Sequence, residues 1–244
     1  MGTDSSVTEE GRRHRNRQIQ AMFGRIVPRY DRMNRLMSFG MDGGWRRMAA
    51  TAAEPRGMRV LDLGTGTGDL ARELTFHGAA CVVGADFSPA MLSVAASRYA
   101  AIPINAWVAA DGHHLPFADA TFDCLTNAFV LRNLVNLPAA FREMTRVLRP
   151  GGRLVCLDIT QPPHGIFSAM YRLYFNHIMP PLAGLLSGDR AAYRYLPNSL
   201  TGFPDADRLS DMLRDAGAQN VRCRRLAAGA VALHVADRAP AIRS

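Results

Sequence analysis

Short apolar strands alternate with helical segments along the chain, and this alternation restricts the fold more than any other feature of the sequence. Five apolar stretches are predicted to be strands, at residues 59–63, 81–86, 107–111, 122–127 and 153–159. Helices are predicted between them, from Asp69 to about Phe76, after the Ser88-Pro89 opening, and over residues 138–148. Because strands that alternate with helices pair in parallel, the pattern predicts an α/β fold with helices on both faces of a parallel sheet.

The segments on either side of this block complete the predicted organisation. Residues 1–18 are polar and rich in arginine, so they are predicted to form a tail, and residues 19–57 show a helical pattern of apolar residues. Residues 58–160 form the predicted core. Residues 161–204 contain six prolines between apolar clusters and are predicted to be an inserted helical cap. Residues 205–238 complete the core with a helix at 205–216 and strands at 221–226 and 230–236.

Arginine supplies all 29 basic residues of the chain, against 21 acidic residues, for a formal net charge of +8. The absence of lysine excludes Schiff-base catalysis by lysine and a Walker-type phosphate loop. The positive charge favours contact with anionic lipid or nucleic acid. Since the arginines are scattered and no reader motif with interleaved aromatic residues is present, we expect no nucleic-acid partner.

The apolar segments and the cysteines indicate the compartment. No uncharged apolar run reaches the length of about 18 residues that a spanning helix needs, and no secretory pattern is visible. The four cysteines stand far apart without a Cys-x-x-Cys pair, as is typical of a reducing compartment. We therefore expect a cytoplasmic protein. The seven histidines show no metal-ligand spacing, and no metal is assigned.

A glycine-rich loop follows the first predicted strand. Asp62 precedes Gly64, Gly66 and Gly68, and a helix begins at Asp69. Glycines at this position let the backbone approach a ligand, and the N–H groups at the helix start can donate to it. In the dinucleotide fingerprint the third glycine lies three residues after the second, whereas here Asp69 occupies that position. This departure weakens the nicotinamide interpretation.

Polar residues follow the next three strands. Asp86 ends the second strand, 18 residues beyond Gly68, where a carboxylate can accept two hydrogen bonds from a ribose diol. Asp111-Gly112 ends the third strand, where a short acid can accept from an adenine amine, although a surface turn explains the pair equally well. Asn127 ends the fourth strand and is predicted to face the same crevice. Pro150-Gly151-Gly152 then turns the chain into the fifth strand.

In this order, the loop, the later acids and the Pro-Gly-Gly turn resemble those of Rossmann-like methyltransferases that depend on S-adenosylmethionine (SAM). The resemblance implies a mostly parallel seven-stranded sheet with a helical cap, and SAM as the methyl donor. It implies that SAM is bound by the loop and by three strand ends, at Asp62, Gly64, Gly66, Thr67, Gly68, Asp86, Asp111, Gly112 and Asn127.

Further segments resemble the signature of the ubiquinone/menaquinone biosynthesis C-methyltransferases, the UbiE/MenG family, over about residues 19–236. These segments are Phe23 to Asn34, Ser38-Phe39-Gly40, Trp45-Arg46, Leu131-Arg132-Asn133, Arg149 to Thr160, Tyr193 to Ser199 and Gly229 to His234. The chain departs from the family at two places. Asp42 stands where the family usually has His, and Asp158-Ile159-Thr160 stands where the family has Glu-x-Ser.

The resemblance implies C-methylation of a polyprenylated quinol, such as demethylmenaquinol or a ubiquinone precursor. Methylation at carbon needs a phenolate on the neighbouring ring position. We expect the permanently charged Arg132 to stabilise that phenolate and Asn133 to orient the hydroxyl. Tyr30 and Asp31 are further candidates on the substrate side, and Asp31 could serve as a base if it is desolvated.

The isoprenoid tail of such a substrate lies in a membrane. We expect apolar residues of the 161–204 segment, from Phe167 to Leu185, to accept the tail while N-terminal arginines contact acidic headgroups. An ordinary helical cap packed on the core is the alternative for this segment. Peripheral contact with the inner face of the membrane and a homodimer are the further expectations.

Three other functions stay open at this point. The departures at Asp42 and Asp158 keep a SAM-dependent methyltransferase of another small molecule in consideration, with oxygen, nitrogen or carbon as the acceptor. The positive charge would suit a nucleic-acid-binding protein, and the glycine-rich loop would suit a nicotinamide oxidoreductase.

Overall fold

The computed structural model describes residues 34–162 and 202–240, together with Val27, Asp31 and Arg32. The predicted tail, Tyr30 and most of the predicted cap lie outside the described residues. Seven strands are present in the described part: β1 (Arg59–Leu63), β2 (Cys81–Asp86), β3 (Ala106–Ala109), β4 (Phe122–Ala128), β5 (Leu148–Ile159), β6 (Ala218–Leu226) and β7 (Val231–Arg238). The helices are α1 (Asp42–Ala53), α2 (Asp69–Phe76), α3 (Pro89–Arg98), α4 (Leu137–Val147) and α5 (Ala206–Asp215), with 3₁₀ turns at Leu131–Asn133 and Ala227–Gly229.

The strands form one sheet in the order β3-β2-β1-β4-β5-β7-β6. The first five pair in parallel, and β7 runs antiparallel to both β5 and β6. This confirms the predicted mostly parallel seven-stranded sheet. The chain passes from β1 to β2 on one side and later returns to β4 on the other side of β1. Ligands of open α/β sheets bind at such a switch point, beyond the carboxyl ends of the strands.

Two apolar layers bury the faces of the sheet. On one face, α4 and α5 contribute Phe141, Met144, Leu209 and Leu213 to the core around Leu61 and Leu125. On the other face, alanines of α1 and leucines of α2 pack against Val60, Val82 and Val155. Because both faces are covered, most side chains of the central strands are apolar, and the polar residues lie mainly toward the strand ends.

Helix starts follow the local sequence signals. Ser88 accepts a hydrogen bond from Met91 N before Pro89 opens α3, as predicted. Asn136 accepts from Ala139 N at the start of α4, with Pro138 in the first turn. Among the described residues, no helix combines the length and the apolar character needed to cross a bilayer.

Several strand boundaries differ from the prediction: β6 begins three residues early and β7 ends two residues late, and two further differences have a clear local cause. Strand β3 ends at Ala109 because Asp111 turns back on His114, whose N–H donates to the Asp111 carbonyl. Strand β5 begins at Leu148, five residues before the predicted start, because the turn at Pro150-Gly151-Gly152 is a bulge within the β4–β5 ladder.

Candidate active site

The glycine bend after β1 depends on left-handed backbone at Gly64 and Gly66, with φ of +68° and +56°. The N–H groups of Gly64 and Thr65 both donate to the carbonyl of Ala85, which fixes the bend against β2. A Cβ at Gly64 would lie 2.4 Å from Val130 Cγ2, whereas a Cβ at Gly66 would meet nothing within 4 Å. Gly64 therefore leaves room for Val130, while Gly66 borders open space.

Asp62 lies beneath this bend and is buried. Its carboxylate accepts hydrogen bonds from Thr65 Oγ1 at 2.7 Å and Thr126 Oγ1 at 3.0 Å. Burial raises the pKa of Asp62 to about 6, although the two hydroxyl donors act to lower it. Both oxygens are thus engaged in holding the bend to β4, and Asp62 does not line the pocket described below.

The third glycine, Gly68, and its neighbour Thr67 are not among the residues that line that pocket. A Cβ at Gly68 would lie 2.8 Å from Trp107 and 3.0 Å from Tyr99, so its missing side chain lets α2 pack against these rings. Thr67 is buried and donates from Oγ1 to Asp31 at 2.7 Å. The SAM contacts of Thr67 and Gly68 stay predictions, since neither residue lines the pocket.

Asp86 joins the end of β2 to the bend. Its carboxylate accepts from Gly66 N and from Ser88 N, both at 2.8 Å. Burial raises the pKa of Asp86, against backbone hydrogen bonds that lower it. The carboxylate lines the pocket and organises both the glycine bend and the start of α3 around it.

Asp111 and His113 form a linked pair after β3. Asp111 Oδ1 lies 2.7 Å from His113 Nδ1 and also accepts from His113 N. The backbone N–H of Asn136 donates to His113 Nε2, so we place the ring proton on Nδ1, where it is donated to Asp111. Burial acts to raise the pKa of Asp111, but the donors of His113 outweigh it and the pKa lies below its usual range.

These elements surround one pocket at the carboxyl ends of β1, β2 and β4 and the turn after β3. It encloses about 770 Å³ of empty space, including its mouth toward solvent, and its walls are mostly apolar. Six of the predicted site residues line it: Gly64, Gly66, Asp86, Asp111, Gly112 and Asn133. A largely apolar cleft with a few convergent polar groups is typical of a small-molecule site.

The residues present fit SAM. Two carboxylates, Asp86 and Asp111, offer acceptors on different walls, as a ribose diol and an adenine amine require. Phe87, Met91 and Leu134 supply apolar walls for a flat ring system. The open space beside Gly66 would be filled by any Cβ there, so the bend admits a ligand next to its backbone.

Arg132 forms a buried ion pair with Asp158 at the rim of this pocket. Arg132 Nη1 lies 2.5 Å from Asp158 Oδ1, and the other carboxylate oxygen accepts from Leu131 N. Burial raises the pKa of Asp158, against the guanidinium of Arg132 and two backbone donors that lower it. The 3₁₀ turn that carries Arg132 thereby directs the neighbouring Asn133 into the pocket lining.

Two guanidinium groups contact the ring of Phe129, which lines the pocket and has a φ of +62°. Arg46 lies 5.2 Å and Arg132 6.0 Å from the ring centroid. Arg46 is itself buried and bonded to Asp42 at 2.7 Å. Both residues at which the sequence departs from the UbiE/MenG pattern, Asp42 and Asp158, thus hold an arginine against the same aromatic ring.

Two other predicted site residues are engaged elsewhere. Asn127 is fully buried and donates from Nδ2 to Cys156 Sγ at 3.0 Å, behind rather than along the pocket wall. Asp31 accepts from Thr67 and pairs with Arg98 at 2.5 Å. Asn127 was expected to face the crevice, but it is not among the residues that line the pocket, and its amide nitrogen lies between Cys156 of β5 and Met144 of α4. The roles of Asn127 and Asp31 stay predictions.

Sequence reasoning missed much of the pocket wall. The residues not singled out are chiefly apolar: Leu63, Phe87, Ser88, Met91, Ala110, His113, Ala128, Phe129, Val130 and Leu134. Phe87, Phe129 and Val130 directly follow strand ends, so the topology of a parallel sheet was a signal that could have found them. The pairing of His113 with Asp111 had no such signal.

The fold and the site together define a SAM-dependent methyltransferase of the Rossmann-like class. A SAM-dependent methyltransferase from Thermotoga maritima has the same fold, with a TM-score of 0.64 at 17% identity, over 90% of this chain and 99% of that one. A second from Aquifex aeolicus gives a TM-score of 0.58 at 18% identity, over 85% and 96% of the two chains.

The chain belongs to the ubiE/COQ5 methyltransferase family, whose sequence profile matches residues 11–238. A demethylmenaquinone methyltransferase from Thermus thermophilus is 48% identical over 89% of this chain and all of its own length. Another from Deinococcus radiodurans is 44% identical over 90% of this chain and 92% of its own. The ubiquinone/menaquinone biosynthesis C-methyltransferase UbiE of Desulfotalea psychrophila is 40% identical over 88% of both chains.

Proposed function

We propose that this protein methylates a ring carbon of a polyprenylated quinol, with demethylmenaquinol as the first candidate and a ubiquinone precursor as the second. The names of relatives that are 40–48% identical over most of the chain support this acceptor class. The observation that carries the proposal is the buried Arg132–Asp158 pair next to Asn133, since it fixes a permanent cation beside the pocket that would hold SAM.

Bound SAM supplies an electrophilic methyl group, and the chain must hold it and exclude water. Asp86 and Asp111 would hold its hydroxyl and amine groups, and the backbone at Gly64 and Gly66 would lie along it. The apolar walls at Phe87 and Leu134 exclude water from one side of the pocket. Exclusion of water strengthens the electrostatic effect of the nearby guanidinium on the acceptor.

Arg132 acts on the acceptor. Its guanidinium stays charged at all relevant pH values and favours loss of the phenol proton, which makes the neighbouring ring carbon nucleophilic. Asn133 orients the hydroxyl from the pocket wall. Asp158 holds the guanidinium in place, so that the cation is present before the acceptor binds. Asp31 is the candidate base that would accept the phenol proton, once its contacts with Thr67 and Arg98 are released.

The test is product analysis by mass spectrometry, with the full chain, SAM and a panel of quinols. We expect one methyl group on carbon of demethylmenaquinol. We also expect less product from Asp86→Ala at a SAM concentration that half-saturates the natural sequence. Methylation at oxygen or nitrogen of another small molecule, or no transfer to any quinol by a chain that binds SAM, would contradict the proposal.

We further propose that the protein contacts the membrane peripherally to reach its substrate, because an isoprenoid tail partitions into the bilayer. The segment from Phe167 to Leu185, expected to accept the tail, lies outside the described residues. Homodimer formation stays a prediction, which light scattering of the purified protein tests.

A further inference from the structure

A basic groove lies between α1 and the edge strand β6, away from the pocket. Arg47, Met48 and Thr51 line one side, and Arg222 and Arg224 line the other. Arg222 and Arg224 are two residues apart on β6 and therefore project from the same face of the sheet. No carboxylate of the described part of the chain lines the groove.

The three arginines of this groove are exposed, and none forms an ion pair within the described part of the chain. Their neighbours behave differently. Arg225 projects from the opposite face of β6 and pairs with Asp207 of α5 at 2.7 Å, and Arg46 pairs with Asp42. Because side chains alternate between the two faces of β6, Arg225 lies on the face that carries its partner Asp207. Arg222 and Arg224 lie on the other face, beside Arg47, and are exposed to solvent. Among the described residues, no carboxylate compensates the positive charge of this groove.

Exposed apolar side chains lie next to this charge. Five large hydrophobic residues are exposed in the described part, and four of them fall between residues 36 and 48: Leu36 (36%), Phe39 (71%), Met41 (44%) and Met48 (38%). Met41 and Met48 are two helical turns apart, so they project from the same side of α1 as the Gly44 and Thr51 positions of the groove. Large apolar groups rimmed by cations match the headgroup boundary of an anionic bilayer.

We propose that this surface, formed by Arg47, Arg222 and Arg224 with Met41 and Met48, docks the protein on an anionic membrane. The inference rests on the proposed function, which requires access to a lipid quinol, and names a surface of the described chain for that contact. A soluble polyanion would engage the arginines alone. A bilayer would in addition bury the exposed side chains of Leu36, Phe39, Met41 and Met48.

The first experiment measures sedimentation of the full chain with vesicles of phosphatidylglycerol in phosphatidylcholine, and with phosphatidylcholine alone. We expect binding to the anionic vesicles only, decreasing with salt. Arg222→Gln/Arg224→Gln is expected to weaken partitioning roughly fivefold for each arginine removed. The matched control is Arg142→Gln/Arg208→Gln, which removes the same charge from exposed positions on the opposite face of the sheet. Equal losses in both variants would overturn the proposal.

The second experiment locates the contact. An environment-sensitive fluorophore is attached at Met48→Cys, in a Cys81→Ser/Cys223→Ser background where the remaining cysteines are buried. We expect a blue shift on addition of anionic vesicles, none with inorganic phosphate, and none from the same label at Arg142→Cys. A shift caused by phosphate would indicate a soluble anion site, and a shift caused by protein concentration alone would indicate a dimer. Either result would overturn the docking proposal.

Methyl transfer to a short-chain, water-soluble quinol separates this inference from the proposed function. Arg222→Gln/Arg224→Gln is expected to methylate that acceptor at the rate of the natural sequence. Vesicle binding by a chain that methylates no quinol would refute the proposed function alone. Transfer to the soluble quinol by a chain that ignores anionic vesicles would refute the docking surface alone.

Discussion

Arg132 and Asp158 are joined across 2.5 Å, and both side chains are buried where the turn after β4 meets the end of β5. An ion pair withdrawn from water needs compensation for the lost hydration of both charges, and here two backbone N–H groups help to supply it. The sequence indicates a role for Arg132, but it does not show that Asp158 determines where the guanidinium points.

Arg132→Ala is expected to lower turnover by about 10²–10³-fold, the scale of losing one electrostatic stabiliser of the transition state. SAM affinity, measured by calorimetry, is expected to change little, because Arg132 does not line the pocket. The unpaired Asp158 will also cost stability, about 3–5 kcal/mol. The double variant Arg132→Met/Asp158→Leu is the control, since it should regain stability without regaining turnover. Near-full turnover in Arg132→Ala would rule out the assigned role.

Asp86→Ala is expected to weaken SAM binding by about 1–3 kcal/mol, the scale of hydrogen bonds to a charged group. The substitution also releases the N–H groups of Gly66 and Ser88, which now converge on the carboxylate. Asp86→Asn keeps one acceptor oxygen, so its SAM affinity should lie between those of the natural sequence and Asp86→Ala. Calorimetry measures the affinities, and an unchanged value for Asp86→Ala would remove this residue from the cofactor site.

The substitutions Gly64→Ala and Gly66→Ala are expected to have different consequences. Both have positive φ, which costs a residue with a Cβ about 1–2 kcal/mol. At Gly66 the new methyl meets no protein atom, so we expect this loss of stability and a marked loss of SAM affinity. At Gly64 the methyl collides with Val130, which adds about 1–3 kcal/mol of overpacking. Urea unfolding measures the loss of stability in each variant, and calorimetry measures the SAM affinity. Equal SAM affinity in Gly66→Ala and the natural sequence would contradict the prediction that SAM lies next to the backbone at Gly66.

The sequence predicted the sheet well because the central strands are mostly apolar runs bounded by turn residues. Short runs of this kind, alternating with helical segments, are typical of buried parallel strands. It predicted that Gly64, Gly66, Asp86 and Asp111 lie at the pocket for a similar reason, since each lies at a strand end or within three residues of one. It did not predict the apolar pocket wall, because Phe129 and Leu134 have no local mark that distinguishes a wall from a core. The contacts of the Asn127 amide with Cys156 and Met144 depend on tertiary packing, which no sequence spacing predicts.

Arg46→Met tests whether the arginine on α1 positions Phe129 for the acceptor. The variant loses the ion pair to Asp42 and the contact with the ring. We expect a higher KM for the quinol with nearly unchanged SAM affinity, and recovery in part by Arg46→Lys, which keeps the charge. Arg142→Met, an exposed change on α4, is the control. If SAM affinity and quinol KM move together in Arg46→Met, the effect is general and the positioning role is wrong.

Asp62 gives the fold a pH dependence of known sign. Its pKa is raised by burial from 3.8 to about 6 in the folded chain, so the folded state binds the proton more tightly than the unfolded state. The contribution of Asp62 to the free energy of unfolding is therefore greatest below pH 3.8. It falls by about 3 kcal/mol as the pH rises to about 6. Asp62→Asn cannot titrate there and keeps an acceptor for one hydroxyl. We expect the stability of the natural sequence relative to Asp62→Asn to decline across this window in urea unfolding at several pH values. The exposed change Asp215→Asn serves as the control, and a relative stability that rises with pH would show that Asp62 stays ionised in the folded protein.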